Sequence, residues 1–179
     1  VSFYIDLETY LTDDWNIAVA ARYEDYSDFG DTLNGKIATR YSLTEDLAIR
    51  ASASTGFRAP SLQQQYFTSV ATVFVDSVPT ETGTFAPSSD VAKALGSPGL
   101  DAEEATNYGV GFTWSTDFNF SLSVDYYQIL IDDRIVLSNN LSGASIEELL
   151  AGTGANQGRF FLNAIDSKTR GVDVVASYN

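Results

Sequence analysis

Acidic residues crowd two short stretches of this sequence. EDYSDFGD carries Glu24, Asp25, Asp28 and Asp31, and closely spaced carboxylate oxygens are what a hard cation such as Ca²⁺ takes as ligands. The spacing is not that of an EF-hand loop, and an acidic solvated loop is the plainer reading. Asp25, Asp28 and Asp31 form the narrower candidate set for calcium. Asp132 and Asp133 beside Arg134 resemble a paired-carboxylate site. Glycoside hydrolysis needs two carboxyl groups at a defined separation across a bond, which adjacency in sequence does not supply. The 179 residues include no Cys, His or Met. Disulfides are therefore impossible, and most zinc sites, Ser-His-Asp triads, Cys-His dyads and haem ligands are removed. The sequence points to no enzyme and to no cofactor.

A net charge of −14 disfavours nucleic acid, which calls for a basic face, and disfavours binding to anionic lipid surfaces. No apolar run approaches the roughly 18 residues of a spanning helix. Spanning β-strands escape that test, because each carries only a weak alternating signal.

The elements that must position these residues read as strands. In WNIAVAARY, Trp15, Ile17, Val19, Ala21 and Tyr23 oppose Asn16, Ala18, Ala20 and Arg22. The same period of two runs through KIATRYSL, LAIRASASTGF and FNFSLSVDY, and it marks half-buried strands. Three polar turns separate them, around Asp13-Asp14, Glu45-Asp46 and Thr116-Asp117. Their hydroxyl and acidic residues are suited to bonding local backbone. About the third turn the alternation pairs Trp114 with Phe118, Phe112 with Phe120, Val110 with Leu122 and Tyr108 with Val124. The expected fold is all-β, an antiparallel up-and-down meander of about seven strands. Short turns alternate with long connections, about residues 24–34, 58–104 and 132–160. In a meander all short turns then fall at one end, which is the asymmetry of outer-membrane barrels. Tyr10, Trp15, Tyr41, Phe57, Trp114, Phe118 and Tyr126 gather near strand ends, as interfacial girdles do.

Arg22, Arg40 and Arg50 share the small, polar face. An Arg facing lipid at the midplane would cost roughly 2–4 kcal/mol, so the apolar face is expected to meet lipid and the polar face a lumen. A soluble sandwich with the apolar face in its core is the alternative. Arg40 and Arg50 fall opposite each other across a hairpin, which is unfavourable unless an anion lies between them. Asp6 or Glu8 on a neighbouring strand is the plainer candidate for such a partner.

STGFRAPSLQQQYF (54–67) resembles the strand-to-loop signature of TonB-dependent outer-membrane receptors, through Gly56, Phe57, Arg58, Ala59, Pro60 and Ser61. ARYEDYSDFGDTLNGKIATRYSL (21–43) is similar to the family's preceding hairpin. LDAEEATNYGVGFTW (100–114) matches its next strand through Glu103, Asn107, Tyr108 and Gly109, and FFLNAIDSKTRGVDVVASY (160–178) a later one through Asn163, Thr169, Arg170, Gly171 and Asp173.

The resemblance implies a 22-stranded transmembrane β-barrel around an N-terminal plug, in the outer membrane of a Gram-negative bacterium, with Arg22, Arg40 and Arg50 facing the plug and its carboxylates lying against Arg40 and Arg50. Residues 1–179 would be part of that barrel domain, without the plug and without the closing strand. It also implies the partners. These are outer-membrane lipid, the protein's own plug and remaining strands, the TonB complex reached through the N-terminal part, and a small-molecule ligand such as a ferric siderophore. The transported nutrient would be a ferric siderophore first and a carbohydrate next. A passive porin-like channel and a soluble binding module remain the alternatives. Phe57 is expected in the aromatic belt, with Pro60, which cannot donate to a ladder, ending the pairing. The loop beyond would be extracellular, with Tyr66, Phe67, Phe74 and Phe85 either touching ligand or packing the loop on itself. SSDVAKALG (88–96) reads as a short helix with a Ser/Asp start and a Gly stop.

Overall fold

The computed structural model describes residues 1–26, 30–75 and 77–178. Along the chain run β1 (Ser2–Thr12), β2 (Trp15–Tyr26), β3 (Gly30–Ser42), β4 (Leu47–Arg58), α1 (Leu62–Tyr66), β5 (Ser69–Val75), β6 (Val78–Phe85), α2 (Asp90–Ala94), β7 (Glu103–Ser115), β8 (Phe120–Leu137), α3 (Ala144–Leu149) and β9 (Gln157–Tyr178). They divide into two compact units. The first holds Val1–Arg58, Glu104–Asp132 and Asp166–Asn179, and the second Ala59–Glu103 and Asp133–Ile165.

The first unit is the wall. Its strands lie in the order β1-β2-β3-β4-β7-β8-β9, the up-and-down order expected for about seven strands. β1, β2, β3 and β4 pair antiparallel in succession, as do β7 and β8. Two residues, Asp13 and Asp14, turn β1 into β2, where Thr12 pairs with Trp15. At the β3–β4 turn the Thr44 hydroxyl accepts from Leu47 N–H at 3.0 Å, the local backbone bond that the turn chemistry predicts.

The pairing sets the faces. Trp15 sits opposite Tyr41, Val19 opposite Ile37 and Tyr41 opposite Ile49, all apolar. Asn16 sits opposite Arg40, and Arg40 opposite Arg50. Trp15 and Tyr41 meet edge-on at 6.4 Å. Few wall side chains are buried, and Ile37, Ile49, Val110 and Val174 stand out from the sheet. In water such a surface would be untenable for a sheet this wide, whereas in lipid it is the solvated face.

Three expectations change. β2 and β3 continue to Tyr26 and Gly30 and stay paired there, so residues 24–34 are largely ladder rather than a long connection. The β7–β8 hairpin pairs Trp114 with Leu122, Phe112 with Val124, Val110 with Tyr126 and Tyr108 with Gln128. The turn is wider than the alternation suggested, because Asn119 takes a left-handed φ of 59° and Phe118 is spent in the turn. The slide is even, so the faces of the remaining pairs survive. Tyr10 pairs with Asn16 and therefore lies on the polar face, not in a lipid-facing girdle.

The second unit contains elements where the sequence showed no period. β5 and β6 form a hairpin, with Val70 opposite Gly83 and Phe74 opposite Pro79. β6 then pairs parallel with the start of β9, Gly83 opposite Gly158 and Phe85 opposite Phe160. Phe85, Ala92, Leu150 and Phe160 form a buried cluster, with Val91, Leu95, Leu141 and Ile146 against it. The paired glycines matter here. A Cβ on Gly158 would stand 2.7 Å from Leu95 Cδ1 and 3.4 Å from Leu150 Cδ2 and Phe85 Cε2, so a larger residue there would push the core side chains aside. α2 starts at the Ser89 cap, whose hydroxyl accepts from Ala92 N–H at 3.2 Å, and Gly96 at φ 98° follows it. This is the helix expected from SSDVAKALG.

Candidate functional site

On the polar face of the wall, Arg50 does not confront Arg40. It reaches over β7 to β8, where its Nε donates to Asp125 Oδ1 at 2.7 Å and its Nη2 donates to Ser123 Oγ at 2.9 Å and to Asp125 Oδ2 at 2.5 Å. Ser123 Oγ also donates to Asp125 Oδ2 at 2.8 Å. A planar guanidinium gripping both carboxylate oxygens is the preferred geometry of this pair. β7 makes the crossing possible. A Cβ on Gly111 would collide with the Asp125 carboxylate, and one on Gly109 would stand 3.1 Å from Ser52 Oγ.

Arg22 is held by Glu24 on its own strand, Nη2 to Oε1 at 2.6 Å, and the Tyr26 hydroxyl donates to the same oxygen at 2.9 Å. Among the described residues, the Arg40 guanidinium reaches the Ser42 hydroxyl, at 3.5 Å. Neither Asp6 nor Glu8 answers Arg40 or Arg50. Glu8 instead accepts from Asn16 Nδ2 at 3.0 Å. An open groove of about 530 Å³ on this face is lined by Lys36, Arg40, Arg50, Asp125, Tyr127 and Asp173 among others.

Glycine in the last strand has a similar explanation. A Cβ on Gly171 would lie 2.6 Å from the Tyr127 hydroxyl and 2.9 Å from its Cε1, so the Tyr127 ring lies across the bare backbone of β9. Glu103 proves to be a backbone cap. It is 5% exposed, and its Oε1 accepts from Ile135 N–H at 2.8 Å. Asp133 just before takes a φ of 55°, and Asn163 Nδ2 donates to its carbonyl at 2.6 Å and to that of Asp101 at 3.0 Å. Two side chains thus bond the β8 backbone on either side of the left-handed Asp133 turn. Asn107 pairs with Ile129 within the β7–β8 ladder.

The strand-to-loop signature resolves locally. Regular β3–β4 pairing ends at Lys36 opposite Ser54, and Gly35 N–H then donates to Thr55 Oγ1 at 2.9 Å. Phe57 packs edge-on against Tyr26 at 5.8 Å. Gly56 has an ordinary φ and open space around it, and Arg58 is the last residue of β4. In the loop unit, Ala59 and Pro60 lead to Ser61. Ser61 Oγ accepts from Gln64 N–H at 3.2 Å, while Gln64 Oε1 accepts from Ser61 N–H at 3.0 Å. That reciprocal pair caps α1.

Of the four loop aromatics, Phe85 is 4% exposed within the cluster, so it packs the loop and is not available to a ligand. Tyr66 at 60%, Phe67 at 43% and Phe74 at 72% exposure remain outward. The calcium candidates are described only in part. Asp25 and Asp31 lie opposite each other in the β2–β3 ladder, Glu24 is engaged by Arg22, and Asp28 falls outside the described residues. Among the described residues no group of three or more acidic side chains is arranged to hold a metal ion.

A wide sheet with one apolar face, one polar face strapped by ion pairs and short turns at one end is part of a large transmembrane β-barrel. The chain belongs to the TonB-dependent receptor family: the model described as "TonB dependent receptor-like, beta-barrel" matches residues 1–179. Proteins of this family reside in the outer membrane of Gram-negative bacteria, and this barrel wall is an outer-membrane structure. The chain is 26% identical to the vitamin B12 transporter BtuB of Photobacterium profundum over 181 residues, 92% of this chain and 26% of that protein. Its fold matches the siderophore receptor PirA of Pseudomonas aeruginosa with a TM-score of 0.74 at 19% identity, over 97% of this chain and 30% of that one. The ferric enterobactin receptor PfeA of the same organism matches with a TM-score of 0.71 at 18% identity, over 96% and 23%. The chain thus spans between about a quarter and a third of the length of these relatives.

Proposed function

We propose that this chain supplies barrel wall and ligand-facing loops to an outer-membrane active transporter for a scarce nutrient, a ferric siderophore first and a carbohydrate next. Exposed aromatics on a self-supporting loop unit carry this reading. Tyr66, Phe67 and Phe74 stay outward although the same loop buries Phe85 in its own core. Rigid aromatic side chains give large contact area at low entropic cost, which suits a bulky organic ligand. Family membership supports energised uptake, and the resemblance to a vitamin B12 transporter supports a cargo too large for passive diffusion. Protein ligands to iron are not required, since a siderophore carries its own metal.

Arg40 and Lys36, on the lumenal face and without an ion pair among the described residues, are the wall's side of a contact with an acidic patch of the plug. Arg22 and Arg50 are occupied by Glu24 and Asp125 and are wall straps first. TonB engagement would run through that plug.

The test is uptake by cells carrying the full-length protein. Its abundance in outer-membrane fractions should rise sharply on iron starvation, and the double substitution Tyr66→Ala with Phe74→Ala should cut ferric siderophore uptake about tenfold or more, at unchanged abundance. Uptake of a carbohydrate or of cobalamin with no response to iron would move the substrate class. Unchanged uptake by the double variant would remove these aromatics from the ligand site. Arg40→Glu should loosen the plug, seen as leak of small solutes, and a tight barrel would sink the plug contact.

A further inference from the structure

The lipid-facing side of the wall carries a hollow of about 340 Å³ lined by Trp15, Thr39, Tyr41, Ile49, Ala51 and Val110, with Arg50 also in its lining but its guanidinium held by Asp125. Register explains it. Thr39 lies opposite Ala51 and Tyr41 opposite Ile49, so two short side chains sit between larger ones on a single face. Trp15 donates its Nε1–H to Thr39 Oγ1 at 2.8 Å, and that hydroxyl donates to the Asn16 carbonyl at 3.0 Å, which satisfies the Trp15 and Thr39 polar groups. Trp15, Tyr41, Ile49 and Val110 remain 39–55% exposed. The hollow therefore offers an almost wholly apolar surface, and it is continuous with the surface that meets the bilayer.

Its depth is set by the turns. The lining residues of β2, β3 and β4 lie within about five residues of the short turns, or roughly 17 Å at strand rise, so the hollow belongs to the periplasmic leaflet. The rim beneath it is acidic. Asp13, Asp14, Glu45 and Asp46 occupy the two turns directly below, all exposed. Backbone bonds tie the turns to the neighbouring strand ends, Ser42 N–H to Asp14 O at 2.8 Å and Ser115 N–H to Asp46 O at 2.9 Å. None of the ten Lys and Arg residues falls in 11–15, 43–47 or 115–119. A head group at this rim meets carboxylates and no basic side chain of this chain.

We propose that this hollow seats an acyl chain of a phosphatidylethanolamine from the periplasmic leaflet, with the lipid's ammonium at the carboxylates of the two turns. Phosphatidylglycerol would set an anionic head group against the same carboxylates. Exposed ion pairs are individually weak, so the selectivity comes from several carboxylates acting on one ammonium while the apolar hollow supplies the affinity.

The full-length protein, purified in mild detergent after incubation with vesicles of equal phosphatidylethanolamine and phosphatidylglycerol, tests this by native mass spectrometry of the retained lipid. Phosphatidylethanolamine should be retained about threefold or more over phosphatidylglycerol. Ala51→Trp fills the hollow and should remove the retained lipid. Replacing the four turn carboxylates by Asn and Gln should keep a lipid bound but bring the ratio near one. Those four residues are exposed, so this variant carries the test even if Ala51→Trp impairs assembly. Equal retention of the two lipids, a preference that survives the neutral turns, or lipid unchanged by Ala51→Trp would each overturn the proposal, as would a hollow that holds detergent alone.

Discussion

The wall unit and the loop unit of this chain are stabilised by opposite means. In the loop unit Phe85, Ala92, Ile135, Leu150 and Phe160 are buried, and Thr82, Thr84, Ser97 and Glu103 with them. In the wall, Ala48 and Glu24 are the buried residues among those described. The wall is held by ladders, by polar straps such as Arg50 to Asp125, and by close approaches such as Tyr127 over Gly171. The difference follows from the solvent. A loop surrounded by water must hide apolar surface in a core of its own, whereas a strand in lipid leaves its apolar side chains out and must satisfy its backbone within the sheet. The same residue types therefore mean different things in the two units. Val174 on the wall faces its solvent, and Phe85 in the loop is hidden from it.

The sharpest way to break this comparison is to empty the loop core. Leu150→Ala should cost the loop unit about 2–5 kcal/mol. Because Leu150 and Phe85 share one cluster, protease should then cut within 69–85 as readily as within 144–157, while the barrel keeps its heat-modifiable migration. Cutting confined to 144–157 would show two independent loops. A smaller loss is expected in the wall from Gly171→Val, about 1–3 kcal/mol from the collision with Tyr127. Tyr127→Leu should recover part of it in the double variant, and additive losses in a urea titration would rule out that contact.

Ser61→Ala should remove about 1 kcal/mol by uncapping α1. Its signature is faster backbone hydrogen exchange over 62–66 with no change at 82–85, and a matching change in both would mean that α1 is part of the core after all. Asp125→Asn should have the least effect, at most about 1 kcal/mol, since both partners are partly exposed. High salt should shrink the difference from the unmodified protein. A loss that salt leaves untouched would assign the strap to packing instead of charge.

Much of the wall was readable because its period is two. Asn16, Arg22, Arg40 and Arg50 lie on the polar face where alternation places them, and the Asp13-Asp14 and Glu45-Asp46 turns fall where the acidic residues mark them. The loop unit was hard to read for a physical reason. β6 is buried at one end only and β5 has no buried residue among those described, so SVATVFV and VPTETGTF show no alternation, and the parallel pairing to β9 joins residues more than seventy positions apart. α1 had a usable signal in Ser61 and Gln64, a capping box three residues apart. The role of Glu103 had no such signal, since a buried carboxylate that accepts from Ile135 N–H looks in sequence like any other acid.

By itself the sequence determined the all-β class, the two-faced wall, the end of the wall that carries the acidic turns and the family, because strand periodicity, turn chemistry and short motifs are local. Only the tertiary structure decided which charges meet. Arg50 lies 75 positions from Asp125, and two glycines on the strand between them open the path. Tertiary structure likewise decided that Phe85 packs inward while Phe74 stays out. That choice depends on residues contributed by a second loop, and pairing over such distances is settled by how the backbone brings surfaces together, which no local pattern records.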